Sequence, residues 1–123
     1  MAGRMTVLQG EIWNADFDPI VGHEQGGFRP ALIISSNQFN QLPFGLCVVA
    51  AITKVERRTV FEVIIDPPEG GVAVRSFVLS HQVRTVSLDR LQRRRGQVTP
   101  ETLDAVLAIS RRLISRSMMN LGQ

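Results

Sequence analysis

The sequence predicts a mainly β domain, a small and strongly curved sheet or partly open barrel, closed by one C-terminal helix. Three observations predict it. Short alternating or apolar runs recur between turn residues from Gly10 to Val98. Helical spacing is sustained only beyond Pro100. A chain of 123 residues, 44% hydrophobic and 20% charged, has globular composition and room for one core, so residues 1–123 read as a single domain with a barrel over about 9–98 and a helix over about 100–117.

The first strand is Gly10 to Phe17, where Ile12, Trp13, Ala15 and Phe17 suit a half-buried sheet. Asp18, Pro19, Gly22, Gly26 and Gly27 make residues 18–28 a loop. Ala31 to Ser35 is a β-branched run ending in Ser-Ser-Asn, which caps a short helical turn around Gln38 to Gln41. Leu46 to Thr53 opens with the longest apolar run and is the predicted central strand. Thr59 to Asp66 follows as a strand, closed by the Asp-Pro-Pro-Glu-Gly-Gly turn at 66–71. Val72 to Leu79 and Arg84 to Leu88 read as two strands separated by Ser80-His81-Gln82, and Arg94 to Val98 as a last edge strand. In the helix, Thr99 is the N-cap and Pro100 the first residue, with Glu101 and Asp104 favoured by the positive end of the dipole. Leu103, Val106, Leu107, Leu113 and Ile114 form its apolar stripe. For so small a chain, pairing of two copies helps bury surface, so a homodimer is expected.

The apolar run Leu46 to Ile52 is seven residues long, against about 20 for a membrane helix. Residues 1–9 lack the apolar core of a signal peptide. A cytoplasmic protein with no membrane association is expected. The single cysteine, Cys47, lies within the apolar run and reads as an inert buried thiol. Two histidines, with only Glu24 as a neighbouring carboxylate, argue against a metal site, and no phosphate loop, dinucleotide fingerprint or hydrolase signature is present, so neither metal nor cofactor is expected. The formal net charge is +3, with the basic excess in residues 66–123, and all cations but Lys54 are arginine. Arginine offers phosphate a planar fork of donors, which permits nucleic-acid binding.

Several side chains are chemical candidates. The loop Gly-His-Glu-Gln-Gly-Gly-Phe-Arg-Pro at 22–30 sets an acid, Glu24, and a cation, Arg29, at its two ends, and Pro30 biases Arg29 to extended backbone. A loop salt bridge between the two is an equally good reading of the residues alone. Thr53, at the end of the apolar strand before Lys54, either satisfies local backbone groups or binds a phosphate oxygen at the barrel rim. His81 is a capping residue or a proton-transfer group, histidine being the side chain whose ordinary pKa lies near neutrality. Arg84, Arg90 and Arg93 to Arg95 read first as a solvated face.

Gly10-Glu-Ile-Trp13 with Asp16-Phe-Asp-Pro19, Gly22 to Pro30, Ala31-Leu-Ile-Ile-Ser35, Phe39-Asn40, Ala51-Ile-Thr53, Gln82-Val-Arg-Thr85 and Arg90-Leu91 together resemble the MazF/PemK family of toxin endoribonucleases. The resemblance spans roughly residues 9–115, and the glutamate to arginine-proline loop is its most specific part. It implies an SH3-like barrel with a C-terminal helix, a homodimer, and sequence-specific, metal-independent cleavage of single-stranded RNA that arrests growth. It also implies a cognate antitoxin whose acidic, partly disordered tail occupies the RNA groove. Carried over by position, the catalytic arginine is Arg29, the conserved threonine Thr53 and the loop glutamate Glu24. RNA contacts fall to Gln25, Lys54, Gln82, Arg84 and Arg90. Several members have an aspartate where this chain has His81, so either Glu24 or His81 is the proton acceptor. Two other readings are a gyrase-binding toxin on the same type of barrel, resembling CcdB, and an inactive nucleic-acid-binding module built on Arg84 to Arg95.

Overall fold

In the computed structural model, the described residues are 5–17 and 27–117. They form one antiparallel sheet of six strands: β1 Glu11–Asp16, β2 Phe28–Ile33, β3 Leu46–Thr53, β4 Glu62–Ile65, β5 Ser76–Ser87 and β6 Leu91–Gln97. The spatial order is β4-β5-β3-β2-β1-β6. Helix α1, Asn37–Asn40, follows β2, and helix α2, Pro100–Ile114, follows β6. Among the described residues no helix is long and apolar enough to cross a membrane.

The apolar run becomes β3 with the predicted bounds, inside the sheet between β2 and β5. Its lack of alternation has a physical cause: β1 to β3 are buried on both faces. Trp13, Ala15, Ala31, Ile33, Cys47 and Val49 enter one apolar cluster, while Ile12, Leu32, Ala50 and Ile52 enter a second. β1 is thus not half-buried as predicted, because the curled sheet has core on either side of it. Burial pushes the Cys47 thiol up to about 11, in keeping with an inert buried group. Ser36 caps α1 as expected, its hydroxyl accepting from the Phe39 N–H at 3.2 Å.

The structure corrects several element boundaries, among them that of the last strand, which begins at Leu91 rather than Arg94. Ser80-His81-Gln82 is a bend within the single twelve-residue strand β5, not a gap between two strands. Ala50 opposes Val83 while Ile52 opposes Val78, so β5 carries extra residues there, and the Ser80 N–H is satisfied by the Phe61 carbonyl at 3.0 Å. The strand predicted from Thr59 shortens to Glu62–Ile65, because the Glu62 carboxylate accepts from the backbone N–H groups of Arg57 and Arg58, both at 3.0 Å, and curls the preceding segment. Val72 to Arg75 is not strand but the return of a loop, held by the fork of Arg75 on Asp66 at 2.7 and 3.0 Å.

Helix α2 starts as the sequence predicts, Thr99 accepting from the Thr102 N–H at 3.2 Å with Pro100 following. It ends at Ile114, short of 117. Val106 is fully buried and Leu103 and Leu107 pack with it on the second cluster. Leu113 and Ile114 do not join the core, being 46% and 85% exposed. Leu113 instead borders an apolar groove with Val60, Phe61 and Ile109.

The sheet does not close through hydrogen bonds, since β4 and β6 are its two edges. A 3-10 turn, Glu69–Gly71, runs from the β4 side to β6 and bridges the opening. It seats backbone on backbone: a Cβ at Gly96 would stand 2.5 Å from the Gly70 carbonyl carbon, and a Cβ at Gly71 would collide with the Arg95 carbonyl. Gly71 also has φ 73°, a conformation side chains disfavour. The turn reaches α2 as well, because the Glu69 carboxylate accepts from the Thr99 N–H at 3.0 Å and from its hydroxyl at 3.3 Å.

On the other side of β6, Glu11 is only 5% exposed and accepts from the Leu8 N–H at 2.8 Å, Trp13 Nε1 at 3.0 Å and Arg94 Nε at 2.6 Å. Burial alone would raise its pKa; the three donors, with the Arg94 charge, outweigh that and hold the carboxyl below its ordinary 4.5. A pKa lower when folded than when unfolded means stability that is complete above about pH 5 and lost as pH falls through the folded value.

Two outcomes follow from this packing. Gly96→Ala forces the turn off β6 and should cost about 1–3 kcal/mol, read from the urea midpoint of unfolding. Glu11→Gln should cost about 1.5–3 kcal/mol at pH 7, and the gap to wild type should narrow below about pH 4.5 in acid titrations of stability.

Candidate active site

Ala31 opposes Ala51 and Leu32 opposes Ala50 across β2 and β3. The paired register ends there, and Arg29 and Thr53 each lie two residues beyond it on their strands. Both border a cleft of about 470 Å³ at this end of the sheet. Its cations are Arg29, Lys54 and Arg95, and its other polar groups come from Asn14, Thr53 and Ser76. One wall is the loop that carries Val72, Ala73 and Val74, and Phe28 and Val55 add apolar surface. None of the described lining residues is acidic. Three cations with no acidic residue among the described lining give the cleft a positive field, which its low-dielectric walls focus.

Thr53 is 4% exposed, and its hydroxyl oxygen accepts from the Val55 N–H at 3.1 Å, which turns the chain after β3 and leaves the O–H to donate. Lys54 is exposed at the rim. Arg95 was one of the arginines expected on a solvated face. Ile12 opposes Gly96 and Trp13 opposes Arg94, so Arg95 is the extra residue of a β-bulge. The bulge turns its side chain toward the cleft, where Nη1 donates to Asn14 Oδ1 at 3.2 Å and Nη2 to the Gly71 carbonyl at 3.1 Å. Sequence reasoning missed Arg95, Asn14 and Phe28; the one available signal was Gly96, a glycine inside a strand, which marks bulges and close backbone approaches.

The other predicted residues lie elsewhere. His81 does not line the cleft; it is an exposed residue of β5 whose ring packs on Phe61, centroids 4.8 Å apart. Gln82 is half-buried beside it on β5, also away from the cleft. Arg84 lies over the Phe17 ring, 5.4 Å from its centre, and Arg90 Nη1 donates to the Asp16 carbonyl at 3.2 Å. These two arginines flank the end of β1 rather than the cleft. Glu24 and Gln25 lie outside the described residues. Among the described residues, no three of His, Cys, Asp and Glu stand together as metal ligands.

The fold and the cleft define a small curled-sheet protein with one terminal helix and a pocket bordered by cations. Residues 8–114 match the model of the family described as PemK-like, MazF-like toxin of type II toxin-antitoxin system, and the chain belongs to that family. It is 35% identical over 105 residues to "Endoribonuclease EndoA" of Bacillus subtilis (strain 168), covering 83% of this chain and 89% of that protein. The crystal structure of MazF (Form-I) from Deinococcus radiodurans superposes with a TM-score of 0.80 at 26% identity, over 90% of this chain and 98% of that one. A MazE-MazF structure (Form-II) from the same organism superposes at 0.76 with 27% identity, over 93% of this chain and 100% of that one. These likenesses bear out the predicted family and the mainly β fold with its C-terminal helix.

Proposed function

We propose that this chain is a toxin endoribonuclease, a single toxin domain over residues 1–123, which cuts single-stranded RNA at specific short sequences without a metal ion. The observation that carries the reading is the cleft itself, which Arg29 and Thr53 both line among three cations and no described carboxylate. The family and the endoribonuclease named among its relatives support the same reading.

The reaction needs little from the protein beyond placement and charge. The 2′-hydroxyl of one nucleotide gives up its proton and its oxygen attacks the adjacent 3′-phosphate; the bond from phosphorus to the 5′-oxygen of the next nucleotide breaks, that oxygen takes a proton from water, and the products are a 2′,3′-cyclic phosphate and a 5′-hydroxyl. The Arg29 guanidinium clamps the charge that builds on the phosphorane oxygens. The Thr53 hydroxyl donates to the same phosphate, and Lys54 and Arg95 hold flanking phosphates. Glu24, five residues before Arg29 in the chain, is the proton acceptor in this reading, since His81 stands on another part of the sheet. Gln25 contacts RNA from the same segment, and Gln82, Arg84 and Arg90 guide the strand outside the cleft.

The acting unit is a homodimer, supported by the exposed apolar groove of Val60, Phe61, Ile109 and Leu113 and by the exposure of Ile114. An antitoxin with an acidic tail neutralises the toxin by occupying the cationic cleft, as charge complementarity favours. A complex of MazE with MazF among the similar structures supports that partnership.

The test is incubation with a long single-stranded RNA in EDTA, followed by mapping of fragment ends. Discrete cuts with 5′-hydroxyl ends are expected. Arg29→Ala should slow them about 100- to 1,000-fold, as loss of an oxyanion-type donor does, while Thr53→Ser should retain more activity than Thr53→Val. Uncut RNA with folded wild-type protein would overturn the reading in favour of a toxin that acts by binding.

A further inference from the structure

Resting on the ribonuclease reading, the geometry points to Phe28 as the stacking platform for a base next to the phosphate held by Arg29. Phe28 is the first residue of β2, and its side chain has no place in either apolar cluster. It is 64% exposed, yet it borders the cleft next to Arg29 in the chain. Phe28, Arg29 and Pro30 all line the cleft, so an aromatic residue and a cation border the same space at the end of the strand. Val55 and Val74, 61% and 47% exposed, complete an apolar rim there.

This division of the cleft matches the chemistry of a nucleotide. The cations suit its phosphate and the apolar rim suits its base. RNA read in single-stranded form presents unstacked bases, which bind to aromatic rings by stacking. A simple anion would satisfy the cations but leave the ring and the valines in water. Leaving a phenylalanine exposed costs solvation in the free protein, and a stacked base removes that cost on binding. Phe28 is therefore a binding residue with a part in choosing the nucleotide beside the cut, and it does not take part in the bond-breaking step.

The experiment uses a short RNA carrying the sequence that the wild-type protein cuts, with 2′-deoxyribose at the attacking nucleotide so that it binds intact. Phe28→Ala and Phe28→Leu should each weaken its binding about 5- to 150-fold, the range of one base lost from an aromatic platform. Phe28→Trp should restore it. On cleavable RNA the loss should fall on KM, with kcat changed far less. In the wild-type complex one base should show ring-current upfield shifts of its proton resonances, absent with Phe28→Leu. Wild-type affinity for Phe28→Leu, or unshifted base resonances with a normally cutting protein, overturns the stacking role alone. A folded wild-type protein that cuts no RNA overturns the ribonuclease reading, and this inference with it.

Discussion

The site depends on one close approach of backbone to backbone, the seating of Gly70-Gly71 on Gly96. The sheet has two free edges, and hydrogen bonding alone does not join them. The turn at Glu69–Gly71 spans them because neither partner carries a side chain to hold the backbones apart. From that contact the rest follows in order. The chain leaving the turn, Val72 to Val74, becomes a wall of the cleft. Arg95, extruded by the bulge before Gly96, is braced on the Gly71 carbonyl and on Asn14. Glu69 meets the N-cap of α2, so the helix starts from the same point. Closing the sheet and building the cleft are one event.

The arginines, which dominate the cations, divide by role once the fold is known. Arg94 is paired with the buried Glu11 and Arg75 with Asp66, so these two serve the structure. Arg84 and Arg90 pack against Phe17 and the Asp16 carbonyl at the end of β1. Arg29 and Arg95 line the cleft with Lys54. A modest net charge of +3 thus becomes a concentrated local field, because the described cleft lining holds no carboxylate to oppose it.

Much of this was legible in the sequence, for stateable reasons. β3 was readable from its unbroken apolar run, the start of α2 from Thr99-Pro100, and the family from motifs fixed in order and spacing. Less was legible where tertiary pairing overrides local pattern. The bend at Ser80 to Gln82 reads as a strand break because the pairing slips there, although the backbone continues. Leu113 and Ile114 keep helical spacing with Val106, yet no core lies beneath them. Arg29 and Thr53 could be named from the sequence, but their common cleft depends on the β2-β3 register. Arg95 was hidden in a run of three arginines, since a bulge decides which of them turns inward.

The central claim is that the Arg29, Thr53 and Lys54 cleft holds the RNA phosphate at which the chain is cut. The most direct measurement is a crystal structure with a short RNA blocked by 2′-deoxyribose at the attacking nucleotide. The account predicts a phosphate oxygen within hydrogen-bond reach of both the Arg29 guanidinium and the Thr53 hydroxyl. An RNA lying across Arg84 and Arg90 with the cleft unfilled would contradict it.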